Sequence, residues 1–326
     1  MTTLISARCH CGRNKFKIPF TSSSLPRPSL MCHCDTCRHS TGSIGLLNLT
    51  VYHASANIGR YFCTMCSAHM FFRWNALGED RWGIMTGCLE QIDGIVTLKQ
   101  HEFVGDTLDG GLADHLPCAG VLPSGWRAEG GVKDPELLPL RCHCKHVHLI
   151  LTRPMKKVKE NDIWVVPGEE ASDSIRFMAS HCLCNDCRLA SGQEITTWLI
   201  VSDENVIDAA TNAPVNLQDP EKRPKSLKQY VSSEGHHRES CKTCGATVFW
   251  WRHMEGGETP HMDVAAGLID EEAAGGVRAE SWFAWDVREP GFAEYALSKE
   301  TARALKDGWK AHVAAKSQTR IPGSLE

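Results

Sequence analysis

Cysteine spacing constrains this chain more than any other feature. The C-x-C-x-x-C triplet Cys32-His33-Cys34-Asp35-Thr36-Cys37-Arg38 returns as Cys182-Leu183-Cys184-Asn185-Asp186-Cys187-Arg188, and a C-x-C and a C-x-x-C pair flank each triplet. A C-x-C pair cannot easily close on itself with good disulfide geometry, whereas C-x-C and C-x-x-C both aim two thiolates at one ion. The chain has 16 cysteines, and its start, Met1 to Arg8, is too short and weakly apolar before the first of them to serve as a secretion signal. This reads as a cytosolic or nuclear protein whose cysteines serve metal binding or redox chemistry, because the cytosol keeps thiols reduced.

The cysteines also expose an internal duplication. Cys9 and Cys11 recur 133 residues on as Cys142 and Cys144, and Cys32, Cys34, Cys37, Arg38 and Gly42 recur 150 residues on as Cys182, Cys184, Cys187, Arg188 and Gly192. Tyr52, Ser55, Arg60, Cys63 and Cys66 recur after 178 residues as Tyr230, Ser233, Arg238, Cys241 and Cys244. An offset of 180 relates Gly87, Phe103 and Asp106 to Gly267, Phe283 and Asp286. Constant registers of this kind mark a repeat. The steps between them show that the second copy gains 17 residues before its triplet and 28 between Gly192 and Tyr230. The second gain contains the polar stretch from Asp203 to Pro224, read as a hairpin or a surface loop.

A chain of 326 residues with this repeat calls for two domains. The Gly-, Pro- and charge-bearing stretch 120–139 is the expected linker, dividing the chain into residues 1–130, 131–300 and a tail, 301–326. Short apolar runs broken by glycine, such as Met70-Phe71-Phe72 and Thr247-Val248-Phe249-Trp250, predict a mainly β chain. Ala302, Leu305, Trp309 and Val313 recur at helical spacing behind Ser298, which predicts a capped terminal helix packed on one domain. The net charge of −4 and the pI near 6.5 offer no basic face for nucleic acid. The single basic run, Lys156-Lys157-Val158-Lys159, reads as a solvated loop or strand edge rather than a binding patch. No apolar run is long enough to span a membrane.

Pairing by type assigns Cys9, Cys11, Cys63 and Cys66 to one closed structural zinc, and Cys142, Cys144, Cys241 and Cys244 to another. The triplets Cys32, Cys34, Cys37 and Cys182, Cys184, Cys187 would then hold a second zinc in each copy, four in all. A histidine could close the triplet as fourth ligand, but His33, His39 and His69 face Leu183, Leu189 and Thr247 in the second copy, so a position open to water or a thiol is favoured. Arg38/Arg188, Tyr52/Tyr230 and Arg60/Arg238 recur beside the cysteines. Such an arginine offsets thiolate charge and could bind a carboxylate, or else forms a surface salt bridge. Three thiolates donate strongly, so an ion there favours activating a thiol for C–S bond formation or cleavage.

These residues resemble the glutathione-dependent formaldehyde-activating enzyme and centromere protein V domain family. The shared pattern is an early C-x-C-G (Cys9 to Gly12), a central C-x-C-x-x-C-R with Thr41-Gly42 or Ser191-Gly192, and a late C-x-x-C-G (Cys241 to Gly245). Lys145 and Ser67 depart from its glycines. The resemblance implies a β-tent fold, a structural zinc on the outer pairs, and a catalytic zinc on the triplets with Arg38 and Arg188 beside them. It also implies a carbon–sulfur lyase or glutathione-adduct synthase acting on a small thiol or glutathione conjugate. Two other classes stay open: a zinc-stabilised protein-interaction module without catalysis, and a thiol redox protein. Oligomeric state is not legible.

Overall fold

The computed structural model describes residues 1–32, 49–76, 79–117, 133–154, 164–166, 175–252, 261–285 and 289–319. Cys34, Cys37 and Arg38 lie outside them, as do His33, His39, the Lys156 to Lys159 run, Asp286 and the middle of the expected linker; of Cys32 only the backbone is described.

The chain is mainly β. In the first repeat unit, β1 (Thr2–Arg8) and β2 (Lys15–Thr21) form an antiparallel hairpin. Alternation in β2 turns Phe16, Ile18 and Phe20 to one side, and Ile18 and Phe20 pack there with Ile5, Ala7, Leu89, Ile92 and Ile95. Then come β3 (Arg27–Cys32), β4 (Leu49–His53), β5 (Ile58–Cys63), β6 (His69–Ala76), β7 (Glu79–Ile84) and β8 (Val96–Glu102). β4 to β7 pair in sequence order as one antiparallel sheet, and β3 and β8 pair parallel as a separate two-stranded sheet.

The second unit repeats this plan with additions. β9 (Leu137–Arg141) and β10 (His148–Thr152) answer to the first hairpin, β12 (Arg176–Cys182) to β3, and β16 (Leu227–Ser233), β17 (His236–Cys241), β18 (Thr247–Arg252) and β19 (His261–Ala265) to β4 through β7. The inserted residues supply β13 (Thr196–Ser202), β14 (Val206–Asp208) and β15 (Ala213–Pro214); β11 (Val165–Val166) precedes β12. β14 and β15 form a hairpin between Asp203 and Pro224, one of the two forms expected of that stretch, and it extends the β9–β10 pair to four strands. β13 matters most. It lies between β12 and β19 and joins what remain two sheets in the first unit, giving eight strands with β20 (Phe283–Trp285) parallel to β12. Among the described residues no strand of the first unit takes that place.

Directly paired residues share a face. One face of the large sheet carries Phe177, Ala179, Leu199, Val201, Phe249, Trp251 and Val264, buried against Leu138, Leu140, Leu149 and Leu151 as the main core. The other carries the row Tyr230, Arg238, Trp250, Asp263, Ile200 and Met178. The matching row of the first unit reads Tyr52, Arg60, Phe72 and Gly83.

Two expectations need correction. Phe103 does not answer to Phe283. Cys32 pairs with Glu102 and Cys182 with Gly291, so the residues that follow, Phe103 and Phe292, are counterparts; both are left-handed, at φ 55° and 59°, and both open a 3-10 turn. The terminal helix α3 (Lys299–Thr319) begins where Ser298 Oγ accepts from the Thr301 amide at 3.1 Å. It packs on both repeat units, with Ala302 and Leu305 against Leu112 and Leu116 as well as Leu183 and Ile195. Among the described residues two shorter helices, α1 (Asn185–Ser191) and α2 (Glu271–Ala274), precede it.

Candidate metal centres

Each outer cysteine set is built from two backbone knuckles that cross-brace a hairpin and a sheet. At the early knuckle the Asn14 amide donates to Cys9 Sγ at 3.3 Å, and the Val147 amide donates to Cys142 Sγ at the same distance. Gly12 turns this knuckle at φ 71°, and Lys145 does so at φ 60° without the glycine. At the late knuckle the turning residues are Ser67 at φ 55° and Gly245 at φ 72°. Local geometry is thus kept where the sequence departs from the family pattern.

The neighbours explain why glycine survives at Gly245 and not at Ser67. A Cβ on Gly245 would stand 2.7 Å from the Phe62 ring. Ser240, which answers to Phe62, is small, and its hydroxyl donates to Ser67 Oγ at 2.8 Å.

These knuckles bring Cys9, Cys11, Cys63 and Cys66 together, and likewise Cys142, Cys144, Cys241 and Cys244, all sulfurs of a set lying within 4.8 Å of one another. Individual separations are 3.5 Å for Cys9–Cys11, 3.7 Å for Cys11–Cys63, 3.5 Å for Cys142–Cys144 and 3.6 Å for Cys144–Cys241. A tetrahedral zinc with four thiolates requires an edge of about 3.8 Å. Both sets fit that ion in donor type, number and spacing.

The third set is Cys182, Cys184 and Cys187, again within 4.8 Å. Cys182 ends β12, and α1 supplies the rest: Cys184 is its N-cap, with Sγ accepting from the Cys187 amide at 3.3 Å. Trp198 belongs to one hydrophobic cluster with Cys182 and Cys187, and Cys184, Trp250 and Ala265 pack against it. Arg238 Nη2 lies 3.6 Å from Cys187 Sγ. The Cys187 thiol is held well below the ordinary value, first by the Cys182 and Cys184 sulfurs and then by this guanidinium. Asp263 is pushed up to about 8 by burial, with Cys187 adding to the shift and Arg238 opposing it. Neither Asp263 nor the two tryptophans was marked by the sequence; Asp263 has glycine, Gly83, as its counterpart.

Arg188 is not in a surface salt bridge. It is 5% exposed and donates from Nη1 to the carbonyls of Gly87 at 2.6 Å and Leu89 at 2.8 Å, and from Nε to Asn185 at 2.9 Å. It therefore fastens α1 to the first repeat unit. Gly87 N–H reinforces the contact by donating to the Gly192 carbonyl at 3.0 Å.

The repeat units also exchange contacts at the knuckles. His10 Nδ1 meets Tyr230 Oη at 3.0 Å, and His143 Nδ1 meets Tyr52 Oη at 2.6 Å. Each tyrosine thus sits over the cysteine set of the other unit, and burial, aided by those cysteines, pushes each phenol up to about 12. His10 Nε2 also reaches Asp186 of α1 at 2.9 Å, and His10 lines a cleft of about 550 Å³ with Arg8, Cys11, Lys15, Phe16 and Glu90. His69 Nε2 contacts the Gly245 carbonyl at 2.6 Å, so it is engaged at the interface between the units.

Fold and donor sets together define a mainly β protein whose described residues include cysteine clusters of four, four and three that could hold metal ions, compatible with zinc. The family model described as glutathione-dependent formaldehyde-activating enzyme matches residues 4–58 and 170–284, more than half of the chain, and the protein belongs to that family. No curated protein matches it. Among the described residues no helix is long and apolar enough to cross a membrane.

Proposed function

We propose that the chain is a zinc-dependent carbon–sulfur lyase or thiol-adduct synthase acting on a glutathione-type small thiol at Cys182, Cys184 and Cys187. The observation that carries this reading is the contrast between two sets of four cysteines and one of three, which among the described residues has no fourth protein ligand in its cluster. In this reading the chain is two β-tent domains, residues 1–130 and 131–300, with a helical tail, 301–326. The outer sets are structural, and Cys32, Cys34 and Cys37 with Arg38 form a second centre, for four zinc ions per chain.

In the synthetic direction the thiol loses its proton and its sulfur lone pair forms a bond to an aldehyde carbon. The C=O π pair moves to oxygen, which takes up the proton; lysis is the reverse. Cys182, Cys184 and Cys187 would hold the zinc, which would supply stabilisation of the substrate sulfur in its thiolate form. Trp198 and Trp250 restrict water around the sulfurs, and Arg238 offsets their charge. Arg188 and the Cys184 cap hold α1 in place.

The rival reading is an interaction module without catalysis, favoured by the Arg188 clamp, which gives the triplet helix an architectural task. Cys184→Ser separates the two: loss of thiol–aldehyde adduct turnover with an unchanged Tm supports the enzyme, and unfolding supports the module. Zinc analysis of chelator-free protein should give close to four ions per chain; about two would overturn the open centres.

A further inference from the structure

Arg238 is 6% exposed, and among the described residues only one of its donor nitrogens has a partner: Nη2 approaches Cys187 Sγ at 3.6 Å, while Nε and Nη1 have no hydrogen-bond acceptor there. A buried cation with unfilled donors is costly, because it has given up water without replacing it. Among the described residues its row neighbours do not fill the gap: Tyr230 is engaged with His10, Trp250 offers no side-chain acceptor, and Asp263, though it feels the Arg238 charge, shares no hydrogen bond or ion pair with it. The neighbouring knuckle arginine of α1, by contrast, has backbone carbonyls for its donors.

We infer that Arg238 anchors a carboxylate of the substrate, so that the Cys182–Cys184–Cys187 centre selects thiols that carry a negative charge. The inference rests on the proposed thiol site. It deepens that reading by naming the substrate class: an anionic thiol whose sulfur goes to the cysteine centre while its carboxylate takes the free guanidinium donors. Guanidinium is suited to this because it stays charged when buried and presents its donors in a fixed plane.

The test uses full-length protein loaded with cobalt(II), whose thiolate charge-transfer absorption reports thiol binding without turnover. Titration with 3-mercaptopropionate, its methyl ester and 2-mercaptoethanol should show the free acid binding at least tenfold more tightly than either neutral thiol. Arg238→Met should abolish that preference, so that acid and ester bind alike whatever their common affinity becomes, and Arg238→Lys should keep part of it. Equal affinities in the unaltered protein, or a preference that survives in Arg238→Met, would overturn the inference and leave Arg238 as a charge offset for the thiolates. If Arg238→Met does not fold, the comparison of acid with ester in the unaltered protein decides. A spectrum that responds to no thiol removes the open centre itself, and the inference with it; a response without preference removes the inference alone.

Discussion

Gly245 shows how much a single position can carry. Its left-handed backbone turns a knuckle, and the Phe62 ring of the other repeat unit fills the space a side chain would need. Gly245→Ala should cost about 1–3 kcal/mol through strain and overpacking, read from urea denaturation of the zinc-loaded protein. Ser67→Gly, at the matching turn, should change stability far less. His115 is 1% exposed and stands 3.0 Å from His181, with Trp309 stacked on its ring. Burial first, and the His181 charge second, depress its pKa well below the ordinary value. The folded state therefore refuses a proton that the unfolded chain accepts below about pH 6.5. Its contribution is complete above that pH and is lost as pH falls, by about 1.4 kcal/mol per unit. Denaturation of His115→Gln and the unaltered protein between pH 7 and 5 should show the shallower dependence in the variant. Neither the room for a side chain at Ser67 nor the His115 cluster was legible in the sequence, because both depend on residues far along the chain.

Among the elements, the knuckles and the terminal helix were readable and the sheet connection was not. Two-residue cysteine spacings specify a tight turn whatever follows, so the pairing of outer cysteines could be inferred from type. The period of α3 was equally plain, yet periodicity says only that a face is apolar. Its partners, Leu112 and Leu116 on one side and Leu183 and Ile195 on the other, come from both units. Leu305 is fully buried there, and Leu305→Ala should lower stability by about 2–5 kcal/mol in denaturant melts. The constant offset that misplaced Phe103 fails for a similar reason. A parallel pairing sets which residue lies beside the triplet, and chain counting passes over the two-residue change before Gly291.

Over the whole molecule, the repeat units are fastened by Arg188, His69, Ser67 and the two tyrosine–histidine pairs. Heating the zinc-loaded protein should accordingly give one cooperative transition, followed by calorimetry and by far-UV circular dichroism. Removing zinc with a strong chelator should abolish it, since metal affinity of this kind is folding free energy. Two well-separated transitions would contradict the cross-bracing. The duplication was visible in the cysteines, but the crossing of contacts between units was not, because identical offsets describe separate and interlocked copies equally well. Tyr52 on His143 and Tyr230 on His10 have the reciprocity that a two-fold axis imposes on an isologous homodimer. Here both partners belong to one polypeptide, and so they need no longer change in step: Phe72 faces Trp250 across the symmetry, and Gly83 faces Asp263. A symmetric pair of separate chains would have to carry every substitution twice, whereas the fused pair can assign the tryptophan and the buried carboxyl to one side alone.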